Sequence, residues 1–424
     1  MIPPLQYLER YRNGGTRDYS PHADYTEARE GYRPDSAAEA FQVAVFRLPR
    51  TAVNVYRAGP GPELEACYLT PDSALFCVHP QLVELRPQEP YLARTREVGQ
   101  AVPGIRVTPS SSTRTLYVLD SLDSLGSLGS EAPEPDPGTP HALKVHFPFR
   151  ISRYGRKMRD EVVEQAIAVS RELESVVRRS GARLFPDFAF MREVLGITHR
   201  NLDPTTPRGE NWGYLIRETT PFPASSSEAS LVPGFALYGR DYFDPQASPL
   251  LWMLMGESDP ASFVLESVFL PMIRHWVTCF LETGFILEPH GQNVLLEVDR
   301  EGKVRRIVHR DMNVGIDMRR RRELEAPDFG DNTYNLMETG EFASIAFDKF
   351  MGHHFFHRVV LALCQRFPQL RPEDLQEPCR EEFARLFPDH RRYLPRTVRY
   401  FSEERDAFGK PLFQDTGTEP VWRP

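Results

Sequence analysis

The stretch Asn293-Val-Leu-Leu-Glu-Val-Asp299, followed by Arg300-Glu-Gly302 and Lys303-Val-Arg-Arg-Ile-Val-His-Arg310, has the pattern of a β-hairpin. Two runs rich in apolar and β-branched residues flank a short turn that contains glycine, which predicts two antiparallel strands. The hairpin would bring the segment Glu288-Pro-His-Gly-Gln-Asn293 close to Asp311. Carboxylates, an imidazole and two amides would then meet at neighbouring strand ends, a combination that suits a Mg²⁺-nucleotide site.

Two other segments predict long helices. Between residues 156 and 180, apolar side chains recur every three or four positions among charged ones, and Gly181 stands where a C-terminal cap would lie. A second helix is predicted over residues 259–284, with a kink at Pro271.

Two stretches of the chain with the composition of connecting segments suggest a division into two lobes. Residues 121–140 and 218–234 are rich in serine, glycine or proline, which is typical of flexible connections. We expect a boundary between lobes near residue 185, after the first long helix.

Composition narrows the class of protein. With 424 residues, 41% hydrophobic and 26% charged, a folded multi-lobed chain is expected. The formal net charge of −8 argues against nucleic acid or an anionic membrane as the main partner. Five cysteines without C-x-x-C spacing favour a reducing compartment. No signal peptide is evident and no apolar run reaches about 18 residues, so a cytoplasmic location is expected.

Upstream of the hairpin lie side chains that suit a triphosphate. ATP carries about four negative charges, so its site must offer several cationic or hydroxyl donors beside a metal held by oxygen ligands. Taken singly, a Ser/Thr-rich stretch is more often a turn, a basic segment is often solvated surface, and a histidine is often structural. The residues alone therefore leave the assignment open. The candidate phosphate-binding residues are Ser112, Arg114, Thr115, Lys144 and Arg156.

Several separated motifs in a fixed order resemble the IucA/IucC family of siderophore synthetases, which act independently of nonribosomal peptide synthetases. The resemblance covers roughly residue 75 to the C-terminus. It implies an α+β fold like a cupped hand, with fingers, palm and thumb and with mixed or antiparallel sheets flanked by helices. Residues 1–185 would form the fingers and part of the palm, and residues 186–424 the palm and helical thumb. The motifs are Pro109-Ser-Ser-Ser-Thr-Arg-Thr115, Lys144-Val-His-Phe-Pro-Phe-Arg150-Ile-Ser-Arg-Tyr-Gly-Arg156, Met191-Arg192-Glu193, Glu288-Pro-His-Gly-Gln-Asn293 and Arg310-Asp311.

The resemblance also implies roles for individual residues. Lys144, Arg156 and His290 would be catalytic, and Glu288, Gln292 and Asp311 would contact Mg²⁺ and phosphate. Arg114 and Lys144 are expected to face a ligand instead of the core. ATP contacts are implied at Ser112, Arg114, Thr115, Lys144, Arg156, His290 and Asn293.

The implied reaction has two steps and small-molecule partners. A carboxylate, citrate-like or another polycarboxylate, would attack the α-phosphate of ATP and release pyrophosphate. An amine or hydroxyl nucleophile would then capture the acyl adenylate and release AMP. The family also makes a homodimer plausible, and neither nucleic acid nor membrane is an expected partner.

One departure and two rival interpretations stay open. Glu27 stands where the family carries a lysine, which places citrate as the substrate in doubt and suggests a reduced fingers lobe. Val308-His-Arg-Asp-Met-Asn313 resembles a kinase catalytic loop, but its asparagine follows the aspartate by two positions and no glycine-rich loop precedes Lys144. A non-catalytic relative that binds a nucleotide or metabolite is the third possibility.

Overall fold

The computed structural model describes residues 2–16, 25–119, 139–152, 154–180, 188–203, 210–225, 228–405 and 411–424. The protein is a mixed α+β structure in which helices flank one large sheet, as expected. Nearly all of the stretch 121–140, and the proposed lobe boundary near residue 185, lie outside the described residues.

The described strands fall in both halves of the chain. They are β1 (Phe41–Pro49), β2 (Val53–Arg57), β3 (Ser73–Val78), β4 (Gln100–Pro109), β5 (Thr115–Val118), β6 (His141–Val145), β7 (Phe147–Ile151), β8 (Tyr154–Arg156), β9 (Phe188–His199), β10 (Gly213–Phe222), β11 (Ala229–Pro233), β12 (Phe285–Ile286), β13 (Val294–Asp299), β14 (Val304–His309), β15 (Gly315–Asp317), β16 (Leu336–Met337), β17 (Arg399–Arg405) and β18 (Pro411–Asp415).

Helices dominate the C-terminal half. The described α-helices are α1 (Leu5–Tyr11), α2 (Pro62–Tyr68), α3 (Pro80–Leu85), α4 (Pro90–Val98), α5 (Asp160–Ser180), α6 (Leu250–Met255), α7 (Pro260–Val264), α8 (Leu270–Thr283), α9 (Met318–Glu323), α10 (Glu341–Ser344), α11 (His357–Arg366) and α12 (Glu373–Leu386). Two segments, Leu265–Phe269 and Ile345–Phe356, are π-helical, and short 3-10 turns occur at Glu30–Tyr32, Arg50–Ala52, Gly234–Leu237 and His390–Arg392.

The predicted hairpin is present as β13 and β14. The two strands pair antiparallel, with Leu296 opposite Ile307. The turn between them is held by Asp299, whose side chain accepts hydrogen bonds from the backbone N–H groups of Glu301 and Lys303, both at 2.9 Å. Gly302 supplies the positive φ, +84°, that the turn requires.

The hairpin is part of an eleven-stranded sheet built from strands of both halves of the chain. The order is β11-β13-β14-β9-β10-β6-β5-β4-β1-β3, with β2 paired to β9. The β14 and β9 strands run parallel, whereas the other neighbours in this sheet are antiparallel. The central strands β5, β6, β10, β9 and β14 therefore lie side by side, and they carry the residues discussed below.

The prediction of a flexible connection over residues 218–234 was wrong for most of that stretch. β10 continues to Phe222, and β11 covers Ala229–Pro233 and pairs with β13. Prolines and serines there signal turns, but pairing with neighbouring strands decides the outcome, because backbone groups on a sheet gain hydrogen bonds that a local pattern does not reveal.

Helix α5 confirms the amphipathic segment, although it begins at Asp160 and the preceding residues form β8. Its apolar face packs on β9 at Gly196. A Cβ atom at Gly196 would overlap Val163 Cγ1 and lie 3.2 Å from Ile167 Cγ1. The absence of a side chain therefore sets the distance between this helix and the sheet.

The second predicted helix is also present. Asp259 caps its start by accepting a hydrogen bond from Ser262 N–H at 2.9 Å, and Gly284 ends it at φ +74°. A π-helical segment, Leu265–Phe269, precedes Pro271. Within the described residues, Pro260–Thr283 is long and apolar enough to span a membrane, but 61% of its most apolar window is buried, as in a core helix.

The contact at Gly196 generates a test of packing. Gly196→Ala should lower the free energy of unfolding by about 1–3 kcal/mol, because the new methyl group has no room between β9 and α5. Gly31→Ala is the matched control, since a Cβ at Gly31 would meet nothing within 4 Å. Urea denaturation of both variants measures the difference, and equal midpoints would contradict the packing argument.

Candidate functional site

Neighbouring strands bring four charged side chains together near the middle of the sheet. Lys144 lies on β6, which pairs with β10, and Arg217 on β10 lies opposite Glu193 on β9. β14 runs parallel to β9, and Asp311 follows its end. We refer to Lys144, Glu193, Arg217 and Asp311 as the charge cluster.

Short distances connect the charge cluster. Lys144 Nζ lies 2.5 Å from Asp311 Oδ1 and 3.6 Å from Glu193 Oε1. Arg217 Nη2 lies 2.6 Å from Glu193 Oε1 and 3.9 Å from Asp311 Oδ2. The Lys144, Glu193 and Arg217 side chains are at most 5% exposed, whereas the Asp311 side chain is 24% exposed. Asp311 is therefore the member that a ligand reaches first.

The electrostatics keep Asp311 ionised. Burial alone would raise the pKa of its carboxyl group, but Lys144, Arg217 and Arg114 together hold that pKa well below its ordinary value. Burial lowers the pKa of the Lys144 ammonium group, and Asp311 and Glu193 oppose that shift. The site thus presents a carboxylate backed by cations.

Backbone geometry fixes the direction of Asp311. Its φ is +78°, a conformation that a residue with a side chain rarely adopts. The next two amides offset this strain, because Met312 N–H donates to Glu193 Oε2 at 3.3 Å and Asn313 N–H donates to Asp311 Oδ1 at 3.2 Å. Strained residues held in this way are often found at functional sites.

The segment Ser110–Thr115, here called the Ser/Thr loop, joins β4 to β5. Thr115 N–H donates to Ser112 Oγ at 3.2 Å, and the Ser110 and Ser112 hydroxyl groups lie 3.0 Å apart. Arg114 Nη1 donates to the Lys157 carbonyl oxygen at 3.2 Å. Thr115 lies opposite Lys144 in the β5–β6 pair, so the loop stands at the edge of the charge cluster.

The segment Glu288–Asn293, here called the histidine loop, leads into β13. It folds on itself, because Gln292 N–H donates to His290 Nδ1 at 3.3 Å and Asn293 N–H donates to the His290 carbonyl oxygen at 2.9 Å. Gln292 Nε2 donates to Ser111 Oγ at 3.0 Å and so joins this loop to the Ser/Thr loop. A Cβ atom at Gly291 would lie 3.0 Å from Phe235 N, which explains the glycine.

Glu288 behaves as a second acid of the site. Burial and the nearby negative charge of Asp311 raise its pKa to about 8, against the opposing effects of Lys144 and Arg156. Two carboxyl groups that repel each other suit a cation, and Mg²⁺ is commonly held by one or two carboxylates plus substrate phosphates. No group of three or more His, Cys, Asp or Glu residues suited to a metal occurs in the described part of the chain.

All ten residues predicted from the sequence are described: nine lie in the Ser/Thr loop, the histidine loop or the charge cluster, and Arg156 ends β8, which pairs with β7 in a separate two-stranded sheet. One expectation changes. Lys144 is 1% exposed and ion-paired, so it lies in the core as well as at the site. The sequence indicates Glu193 only as part of the Met191-Arg192-Glu193 motif, and nothing in the local sequence of Arg217 sets that residue apart. The pairing of β9 with β10 reveals both.

Glu288 predicts a pH dependence of the ligand-free protein. Its folded-state pKa of about 8 lies above that of an exposed glutamate, so its contribution to stability is present at low pH and disappears as pH rises through 8. Glu288→Gln mimics the protonated form. Its stability relative to wild type should therefore increase between pH 5 and pH 8.5 in urea denaturation, and parallel curves would refute the assignment.

Comparison with known proteins identifies the fold. Three solved structures share the fold across more than nine-tenths of the chain: petrobactin biosynthesis protein AsbB from Bacillus anthracis, and ATP-bound aerobactin synthetase IucA and aerobactin synthetase IucC from Klebsiella pneumoniae. The TM-scores are 0.67, 0.65 and 0.63, the identities 16%, 16% and 14%, and the matches cover 95%, 92% and 92% of this chain and 71%, 70% and 71% of the others. The chain has a siderophore-synthetase fold. The resemblance inferred from the motifs is confirmed at the level of the fold.

A family model adds a second likeness. Residues 266–416 match the family described as ferric iron reductase FhuF-like transporter. A search of curated proteins gave no match. Within this siderophore-synthetase fold, the matched region contains Glu288, His290 and Asp311, whereas Lys144, Glu193 and Arg217 lie outside it. The family model therefore covers the two candidate metal-binding carboxylates, Glu288 and Asp311, and neither Lys144 nor Arg217.

Proposed function

We propose that this chain is an ATP-dependent synthetase of siderophore biosynthesis that adenylates a carboxylate and condenses it with an amine or hydroxyl nucleophile. The observation that carries the proposal is the pair of Lys144 and Asp311, which places a buried cation against an ionised, partly exposed carboxylate. The shared fold with an ATP-bound synthetase supports the same conclusion.

Cations on several elements would hold the phosphates. Arg114 on the Ser/Thr loop and Arg156 at the end of β8 lie near the acidic groups, since both interact electrostatically with Asp311 or Glu288. A triphosphate would give Lys144 a further anionic partner beside Asp311 and Glu193. Guanidinium groups suit this role because they bind phosphate oxygens through two parallel hydrogen bonds. Ser112, Thr115, His290 and Asn293 would complete the nucleotide contacts.

Glu288, Gln292 and Asp311 are the residues that would hold Mg²⁺. When bound, the ion would neutralise phosphate charge. The electrostatics of the two carboxyl groups favour this role. Burial raises the pKa of Glu288, and the negative charge of Asp311 raises it further, so a cation between them would relieve the repulsion. The side-chain nitrogen of Gln292 donates to Ser111 Oγ, so the side-chain oxygen, Oε1, is the Gln292 atom that would bind a cation.

The first chemical step would be attack of a substrate carboxylate oxygen on the α-phosphate, with pyrophosphate as the leaving group. The nucleophile would then attack the acyl carbon and release AMP. Lys144, Arg156 and His290 would act by orienting the reactants and stabilising charge as it develops. No covalent intermediate with the protein is required.

Glu27 bears on the choice of carboxylate. Its Oε2 accepts a hydrogen bond from Arg150 N–H at 2.6 Å, and Glu27 N–H donates to the Arg150 carbonyl oxygen at 2.9 Å. Glu27 is thus hydrogen-bonded to the backbone of β7, and it carries a negative charge where the IucA/IucC family has a lysine. A substrate with fewer carboxylates than citrate is consistent with that charge.

The products of ATP turnover distinguish this proposal from its rivals. The synthetase should release AMP and pyrophosphate in the presence of a carboxylate and an amine. A small-molecule kinase would release ADP, a non-catalytic relative would release neither, and ferric iron reduction without nucleotide release would favour the activity named by the family model. Nucleotide products separated by chromatography, with a panel of carboxylates, provide the test.

Arg114 offers the cleanest test of phosphate binding. Arg114→Ala should lower pyrophosphate release at least tenfold, since a charge-assisted hydrogen bond contributes about 1.5–3 kcal/mol. Lys144→Ala should also lower the free energy of unfolding by about 3–5 kcal/mol, because it removes the closest cation of Asp311 and leaves buried Glu193 with Arg217 alone. Unchanged turnover in Arg114→Ala would refute the phosphate assignment.

Asp311 tests the metal assignment. Asp311→Asn keeps the size of the side chain but removes the charge that would bind Mg²⁺, so adenylation should fall at low magnesium and recover partly at high Mg²⁺ or with Mn²⁺. A purely structural role as the partner of Lys144 predicts reduced thermal stability without metal rescue. Wild-type turnover at low magnesium would contradict the metal role.

A further inference from the structure

Four residues from distant parts of the chain close a ring behind the candidate site. Ser111 N–H donates to Glu9 Oε2 at 3.0 Å, and Gln292 Nε2 donates to Ser111 Oγ at 3.0 Å. Arg310 Nε donates to the backbone carbonyl oxygen of Gln292 at 2.7 Å, and Arg310 Nη2 lies 2.5 Å from Glu9 Oε1. The ring therefore joins α1, the Ser/Thr loop, the histidine loop and the end of β14.

The charged pair of the ring is buried, so Glu9 and Arg310 depend on each other. The Glu9 side chain is 0% exposed and the Arg310 side chain 4%. A buried charge that loses its partner is costly, which fixes the guanidinium position within the protein. Arg310 makes further contacts on the same side, because its Nη1 donates to the Tyr117 hydroxyl at 3.2 Å and its backbone N–H donates to the Asn293 carbonyl oxygen at 2.9 Å.

We propose that Glu9 is a positioning residue of the candidate site, which sets the separation of the Ser/Thr loop and the histidine loop through the Ser111 amide and Arg310. The contacts of Glu9 are with the Ser111 amide and Arg310, not with the side chains proposed to bind the ligand. It acts by holding the backbone of one loop and the guanidinium group that orders the other. The effect on nucleotide binding rests on the proposed function, whereas the ordering of the two loops does not.

The same helix provides a matched control. Arg12 Nη1 lies 3.3 Å from Asp241 Oδ2, and Tyr7 OH donates to Asp241 Oδ2 at 3.0 Å. The Arg12 and Asp241 side chains are only 7% and 6% exposed, so Asp241 anchors α1 by a second buried ion pair that does not include either loop. Asp241→Asn therefore loosens the helix without breaking the ring.

Hydrogen exchange of the ligand-free full chain tests the ordering. Glu9→Gln, and Glu9→Asp if the neutral variant folds poorly, should increase amide exchange in peptides covering residues 110–115 and 290–293 about tenfold. Glutamine no longer offers two charged acceptor oxygens to Ser111 N–H and Arg310, and aspartate is too short to reach both. Asp241→Asn should leave both peptides at the wild-type rate. Unchanged loops in both Glu9 variants, or an equal increase in Asp241→Asn, would overturn the proposal.

Kinetics extend the test to the nucleotide. In pyrophosphate release, the Glu9 variants should raise KM for ATP about tenfold with a smaller change in kcat, since the loops that hold ATP are displaced while the reacting groups remain. Asp241→Asn should keep the wild-type KM. If the wild-type protein turns over no ATP, the proposed function fails and hydrogen exchange alone decides the role of Glu9. Loop exchange that rises without any change in KM would overturn the link to nucleotide binding.

Discussion

The buried contact of Lys144 with Asp311 and Glu193 constrains the centre of this protein. Removing charges from water costs several kcal/mol per ion, and that cost is offset only when partners are held in good geometry. Here the partners arrive from β6, β9, β10 and the end of β14. A shift of one residue in any of these pairings would turn a side chain to the opposite face and leave a charge unpaired. The register of the central sheet and the charge cluster therefore require each other.

The parallel pairing of β14 with β9 has a specific consequence in this setting. It ends β14 beside Glu193, so the strained backbone at Asp311 gains a hydrogen bond from Met312 N–H to that buried carboxylate. Arg310 follows the same end of the strand and pairs with Glu9 in the ring behind the two loops. One strand end thus contributes to both the charged floor of the site and the support behind its two loops.

The two likenesses of this chain meet at the site. The match to the FhuF-like family spans residues 266–416 and includes the acidic side, Glu288 and Asp311. Lys144 and Arg217 lie on β6 and β10, outside the family match. The shared fold with the solved synthetases extends over more than nine-tenths of the chain. Phosphate chemistry needs both sides, because the metal ligands and the phosphate-binding cations must converge. This convergence is the physical basis of the proposed ATP-dependent activity.

Local sequence determined several elements of the protein. The apolar runs around Gly302 specify the β13–β14 hairpin, and the spacing of apolar residues specifies α5, because turn geometry and helical periodicity act over a few residues. The order of motifs indicated the fold and the ten candidate site residues. Tertiary structure alone decided that Lys144 would be buried against Asp311, 167 positions away, that Arg217 would join the charge cluster and that Glu9 would pair with Arg310. These pairings depend on strand order and on the cost of burying unpaired charge, neither of which is expressed in the residues flanking either partner.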